Sequence, residues 1–155
     1  MGLIGAGGDG GEGGYLTNGG RLINEVDGII HGGMSGSNGT KINLFGVSAS
    51  YGGIGISGNN LSVLNKGAIN GSATYTGGMG EAVLFTGGTN QLELWASSQI
   101  QGNVQAFSRS DRLLLGGADN GVFAVSDLGD NVQYRGFGQF EKNRQQSLGV
   151  KRPIP

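Results

Sequence analysis

Cysteine is absent from these 155 residues, so neither disulfides nor thiol chemistry contributes to the chain. Proline occurs twice, both times within the last three residues, and histidine and tryptophan occur once each. Charge is sparse at 14%, and the body through Glu141 holds eleven acidic residues against six basic ones. An acidic body excludes the basic footprint that nucleic acid requires, and Lys142, Arg144, Lys151 and Arg152 are too few and scattered to track phosphates. No apolar run approaches the length of a membrane-spanning helix, so direct membrane insertion is not expected. Met1-Gly2-Leu3-Ile4 lacks a basic start and is cut short by Gly5, which leaves this chain alone without a visible export signal. No stretch carries a helical stripe.

What is present is glycine, 35 residues of it, without the every-third-residue spacing of collagen. The apolar residues, 36% of the chain, are gathered into short runs: Ile54 to Ile56, Leu61 to Leu64, Ala82 to Phe85, Leu92 to Trp95, Leu113 to Leu115 and Val122 to Val125. Each is bounded by Gly-Gly, Asn-Gly or Gly-Asn, a pattern that reads as strand then turn. The phrase from Gly58 to Gly71 returns in altered form from Gly88 to Gly102, with an apolar step of six residues in both, Val63 to Ile69 and Leu94 to Ile100. A looser copy ends at Ile30-His31-Gly32, where Leu22-Ile23-Asn24 matches Val63-Leu64-Asn65. The closing glycines fall 39 and then 31 positions apart.

Periods of this size belong to chains that stack similar units. They predict an all-β solenoid with about 20 to 25 residues per coil, five or six coils in all, each about 4.8 Å above the last. In that arrangement Leu61 and Val63 lie beneath Leu92 and Leu94, and Ile69 beneath Ile100. Asn59-Asn60 and Thr89-Asn90 occupy equivalent turns, where asparagine tolerates left-handed backbone and its amide can bond the next coil. Three parts follow: a glycine-rich, weakly repeated segment over residues 1–40, a regular strand-and-turn body over 41–141, and an irregular basic tail over 142–155.

Motifs that would carry chemistry are weak. Gly5-Ala6-Gly7-Gly8-Asp9-Gly10 has the spacing of a dinucleotide fingerprint, but no strand precedes it and no helix follows. Gly7 to Tyr15 and Gly116 to Gly121 resemble calcium-binding nonapeptides without an aspartate where one is needed. His31, the lone histidine, stands at a turn with no nucleophilic elbow elsewhere. Glu93, Asp111, Asp119, Asp127 and Asp130 are the carboxylates a glycan-cleaving surface would use, and each also fits a solvated turn or outward strand position. Trp95, Tyr51, Tyr75 and Tyr134 suit either recognition or packing. The expectation is therefore a non-enzyme with no catalytic, cofactor-binding or metal-ligating residue and no cofactor. The alternatives are a glycan-binding or glycan-cleaving β-helix and a calcium-binding glycine-rich repeat.

Gly52-Gly53-Ile54-Gly55-Ile56-Ser57-Gly58, Leu61 to Gly71, and Ala82 through Leu94 resemble the passenger region of bacterial autotransporters of the type V secretion pathway. The likeness continues through Ile100 to Val104, Leu113 to Gly117, Phe123 to Ser126 and Tyr134 to Lys142. It covers about Gly52 to Lys142, and Gly2 to Asn38 more weakly. The resemblance implies a right-handed parallel β-helix, a structural stalk or adhesin-type module displayed on the surface of a Gram-negative bacterium or secreted. Its partners would be the outer-membrane translocator barrel of the intact parent and host or bacterial surface molecules. The family phrase ending Phe-Glu-Lys runs on into further strands, whereas residues 143–155 break the pattern, so a passenger fragment from a truncated or frame-shifted reading frame is expected.

Overall fold

The computed structural model describes residues 9–36, 51–73 and 79–142. Among these residues the glycine-bounded runs form thirteen short strands: β1 (Gly14–Leu16), β2 (Gly20–Asn24), β3 (Ile29–His31), β4 (Ile56–Asn59), β5 (Leu61–Asn65), β6 (Ala68–Asn70), β7 (Val83–Gly87), β8 (Gln91–Leu94), β9 (Gln99–Gln101), β10 (Val104–Gln105), β11 (Arg112–Leu115), β12 (Tyr134–Arg135) and β13 (Gln139–Lys142). The only helical element among the described residues is a single 3-10 turn, Val125–Asp127. The fold is all-β, as the glycine punctuation predicts.

Three sheets result, in the orders β1-β4-β7-β10-β12, β2-β5-β8-β11-β13 and β3-β6-β9. Every pairing between these strands is parallel. A parallel partner cannot be reached through a tight hairpin, so the chain must travel before it pairs again. Here it travels through the other sheets: from β1 through β8, each strand pairs with the strand three places later in sequence.

The registers line up like residues. Leu22, Val63, Leu92, Leu113 and Phe140 form one column, and Ile30, Ile69 and Ile100 another. In the first sheet Gly14, Ile56, Val83, Val104 and Tyr134 are in line. Ile56, Val63, Ile69, Val83, Leu92, Val104 and Leu113 are wholly buried, and the core is these columns meeting. Burying a side chain of this kind contributes about 1.5–3 kcal/mol, so the columns dominate the favourable side of folding. Gly55 is needed where they converge, because a Cβ there would stand 2.9 Å from Ile69 Cγ2 and closer still to the Ala82 carbonyl.

One expected register is corrected. Ile69 pairs with Ile100 as the repeat predicts, but Val63 pairs with Leu92, and Leu94 pairs with Asn65. Leu61 lies beside Asn90, whose side-chain oxygen accepts the Leu61 N–H at 2.9 Å. The extra length sits in the corner after β8: Lys66 and Gly67 alone join β5 to β6, whereas residues 95–98 join β8 to β9. A second correction concerns the run from Val122 to Val125, which is not a strand; Val122 is fully exposed and Val125 opens the 3-10 turn. Lys142, placed in the irregular tail by the sequence, ends β13; the rest of the tail, 143–155, lies outside the described residues.

Two polar features close the interior. Asn24 and Asn65 share a column otherwise continued by Leu94 and Leu115. The Asn24 amide donates to Asn65 Oδ1 at 2.8 Å and to the Ala68 carbonyl at 3.0 Å, while Asn65 donates to the Gly67 carbonyl at 2.9 Å. Beyond β9 the third sheet stops, and the Gln133 amide donates to the Ile100 and Gly102 carbonyls at 3.2 and 3.1 Å in place of a further strand. Phe123 packs against Tyr134 and Phe140, each pair of rings 5.2 Å apart.

Candidate functional site

Four of the residues singled out for chemistry lie at two places: Glu93, Trp95 and Tyr134 around the corner after β8, and Asp111 at the turn before β11. At the corner, equivalent positions on successive levels carry Glu25, Lys66 and Trp95. Lys66 Nζ is 2.9 Å from Glu25 Oε2 and 4.4 Å from the centre of the Trp95 ring. The Trp95 indole N–H donates to Glu93 Oε1 at 3.1 Å, which fixes the ring along the sheet edge. Gly117, at φ +84°, passes so near that a Cβ would lie 2.9 Å from the indole. Left-handed backbone and close approach together make glycine necessary there.

Behind the indole lies a cavity of about 100 Å³, whose walls include Leu94, Trp95, Leu115, Val122, Phe123 and Tyr134. Ligand pockets are commonly ~300–1,000 Å³, so this space suits the packing of an aromatic cluster and not a sugar ring. Burial pushes the Tyr134 phenol up to about 12, with the nearby Asp127 carboxylate adding to the rise. The phenol is therefore a neutral packing group at physiological pH.

At the turn before β11, Asp111 is wholly buried. Its Oδ1 accepts the backbone N–H of Asn90 at 2.8 Å, and its Oδ2 accepts the N–H groups of Phe107 and Ser108 at 2.7 and 3.4 Å. The Asn90 amide bridges both carboxylate oxygens at 3.2 Å and returns a third bond to the Gly87 carbonyl at 3.0 Å. Each oxygen thus meets N–H donors supplied by the chain itself, and none of it faces solvent. A carboxylate so enclosed cannot reach a glycosidic bond, so the expectation of Asp111 as a solvated turn acid is corrected: it is an internal fastener between levels.

The other candidates are dispersed. Asp119 and Asp130 are exposed, and Asp130 is bound to Arg109 at 2.9 Å. His31 is exposed at the end of β3, level with Asn70. Tyr51 is 72% exposed, and its backbone N–H donates to Asp9 Oδ1 at 2.8 Å. Tyr75 and the start of the glycine fingerprint, Gly5 to Gly8, lie outside the described residues. Among the described residues no three acidic or histidine side chains converge as metal ligands would, and no helix is long and apolar enough to cross a membrane.

Sequence reasoning missed one group with unusual electrostatics. Burial raises the Glu81 carboxyl above its ordinary value, Arg135 opposes the rise, and Glu81 Oε2 is buried without a hydrogen-bond partner. The flanking Gly80 and Ala82 gave no sign of it, and Arg135, the charge that acts on it, is remote in sequence. Set against known proteins, the chain matches no protein family, no curated protein and no solved structure.

Proposed function

We propose that this chain is a length of right-handed parallel β-helix, closed into about five coils, that serves as a non-catalytic structural stalk or adhesin-type module of an autotransporter passenger. The observation that supports this reading best is the lining up of like side chains through parallel sheets, Leu22-Val63-Leu92-Leu113 and Ile30-Ile69-Ile100. Such a ribbon gains stability one level at a time, because each level buries its apolar edge only when the next arrives. Stepwise folding of that kind suits a chain threaded outward through a pore, and it needs neither cofactor nor disulfide. The likeness of the phrases from Gly52 to Lys142 to passenger sequences points the same way. In this reading the intact parent supplies an outer-membrane translocator barrel, and exposed corners meet host or bacterial surface molecules.

The test is display. Placed between a secretory signal and an outer-membrane translocator barrel, the chain should reach the surface of intact Gram-negative cells and become cleavable by added protease. Leu92→Asp, which puts a charge into the central column, should stall export or leave a protease-hypersensitive product. Retention of the unaltered chain in the periplasm would refute the passenger reading.

A further inference from the structure

Asparagine followed by glycine occurs four times, at Asn18-Gly19, Asn38-Gly39, Asn70-Gly71 and Asn120-Gly121. The pair is reactive in itself, because a glycine amide nitrogen, unscreened by a Cβ, can reach the side-chain carbonyl carbon of the asparagine before it. The fold treats the pairs differently. Asn38-Gly39 lies outside the described residues. Asn70 closes β6, and the Gly71 N–H donates to the Gln101 carbonyl of the next level at 2.9 Å. Gly71 is also buried, so that nitrogen is both occupied and enclosed. At Asn18 the restraint is lighter. Asn18 is exposed, but a Cβ on Gly19 would stand 3.2 Å from the Asn60 carbonyl oxygen, and the Gly20 N–H donates to that same oxygen at 3.2 Å. Asn120-Gly121 is held by neither device: it lies in the connection 116–133, both residues are exposed, and among the described residues no hydrogen bond engages the Gly121 N–H.

We propose that Asn120 is a site of spontaneous deamidation, the first of the three described Asn-Gly pairs to convert in the folded chain. The Gly121 nitrogen loses its proton to solvent and bonds to Asn120 Cγ; the Cγ–Nδ2 bond breaks, and Nδ2 leaves as ammonia with a proton taken from water. Water then opens the cyclic imide at either carbonyl. One opening leaves aspartate, and the other leaves isoaspartate, whose backbone is longer by one carbon. Neither an oxidant nor a cofactor takes part. Where the glycine N–H is bonded across levels, ring closure must wait for that level to open, which happens last in the middle of the stack. The consequence is local. A new negative charge joins that of Asp119, and isoaspartate lengthens the chain three residues before Phe123, whose ring lies 5.2 Å from those of Tyr134 and Phe140. The aromatic packing of the last level loosens, while the columns of the middle levels keep their register. The inference is independent of export, because water is the only reagent consumed.

Incubation of the full chain in mildly alkaline buffer, sampled over weeks and read by peptide mass mapping, tests it. Each Asn-Gly peptide is scored for the mass gain of amide-to-acid exchange and for the separated aspartate and isoaspartate forms, with far-UV circular dichroism to confirm folding. Asn120 should convert about tenfold faster than Asn70, with Asn18 between them. In urea, where no level is formed, Asn70 should draw level with Asn120. Gly121→Ala, at an exposed position, should slow conversion of Asn120 by about tenfold without changing the circular dichroism, because the added Cβ hinders the attacking nitrogen. Conversion of Asn120 no faster than that of Asn70 or Asn18 in the folded chain would overturn the proposal. So would a lead of Asn120 that persists undiminished in urea, since it would then come from local sequence and not from the fold.

Discussion

The middle of the ladder and its first level are built from the same kinds of residue in the same register, yet they differ in what they bury. Val63 and Ile69 are wholly inaccessible, whereas their column neighbours Leu22 and Ile30 are only partly covered, and Ile29 is 70% exposed. Nothing in the side chains accounts for this. In a stacked ribbon a residue is covered by the levels above and below, so position along the stack decides how much apolar burial a given leucine yields. The last level meets the same shortage by another route, filling its interior with the rings of Phe123, Tyr134 and Phe140. The middle should therefore be the last part to open, and the first level should exchange its amide hydrogens early.

The sharpest way to break this comparison is to cut the same column in two places. Leu92→Ala should cost about 3–5 kcal/mol by urea unfolding, and Leu22→Ala about 1 kcal/mol, because only the first leaves a closed cavity. Equal losses would mean that the ends are as well covered as the middle. Asp111→Ala ranks next, at about 3 kcal/mol, since it strips acceptors from the buried N–H of Asn90 and the part-buried N–H of Phe107; Asp111→Asn, which keeps one acceptor, should lose less.

Smaller effects follow from protonation. The Tyr134 phenol is held up to about 12 by burial, so the folded form keeps a proton that the unfolded chain gives up near pH 10. Stability from this group is full below about pH 10 and is lost as pH rises toward 12, and Tyr134→Phe should abolish that slope in unfolding measured across the range. Glu81 has its carboxyl raised by burial, in opposition to Arg135. Stability is then greatest with the carboxyl protonated and falls as pH climbs through its folded value. Glu81→Gln should stabilise the chain slightly at pH 7, and the gain should vanish in acid where the wild-type carboxyl is protonated. A destabilised Glu81→Gln would show that the Arg135 attraction outweighs burial.

Much of the ladder was legible because its signals are local. Glycine and asparagine bound the strands, Asn60 takes the left-handed backbone at φ 50°, and its side chain accepts the Thr89 N–H of the next level at 3.2 Å. The pairings of Leu22 with Val63 and of Ile69 with Ile100 could be read from the altered repeat. The pairing of Val63 with Leu92 could not, because a strand that slides by two residues keeps the same faces in and out. Only the length of the corner at 95–98 separates the two registers, and loops hide such insertions. The run from Val122 to Val125 misled for a related reason: the strand that pairs with β10 is β12, so the run is left with no strand beside it and only Phe123 turns inward. Asp111 reads as a solvated turn residue until it is set beside Asn90, the residue that precedes β8 as Asp111 precedes β11. Its burial depends on a neighbour 21 positions away, which composition does not record.

The paired amides of Asn24 and Asn65 carry a consequence for fidelity. Oily side chains are forgiving, and a ribbon held by them alone would settle two residues fore or aft with little penalty. An amide tucked among them is unforgiving: misplace it, and its donors face hydrocarbon. These two small groups, held at 2.8 Å, act as a proofreader for the first join of the stack, rejecting alignments that grease alone would accept.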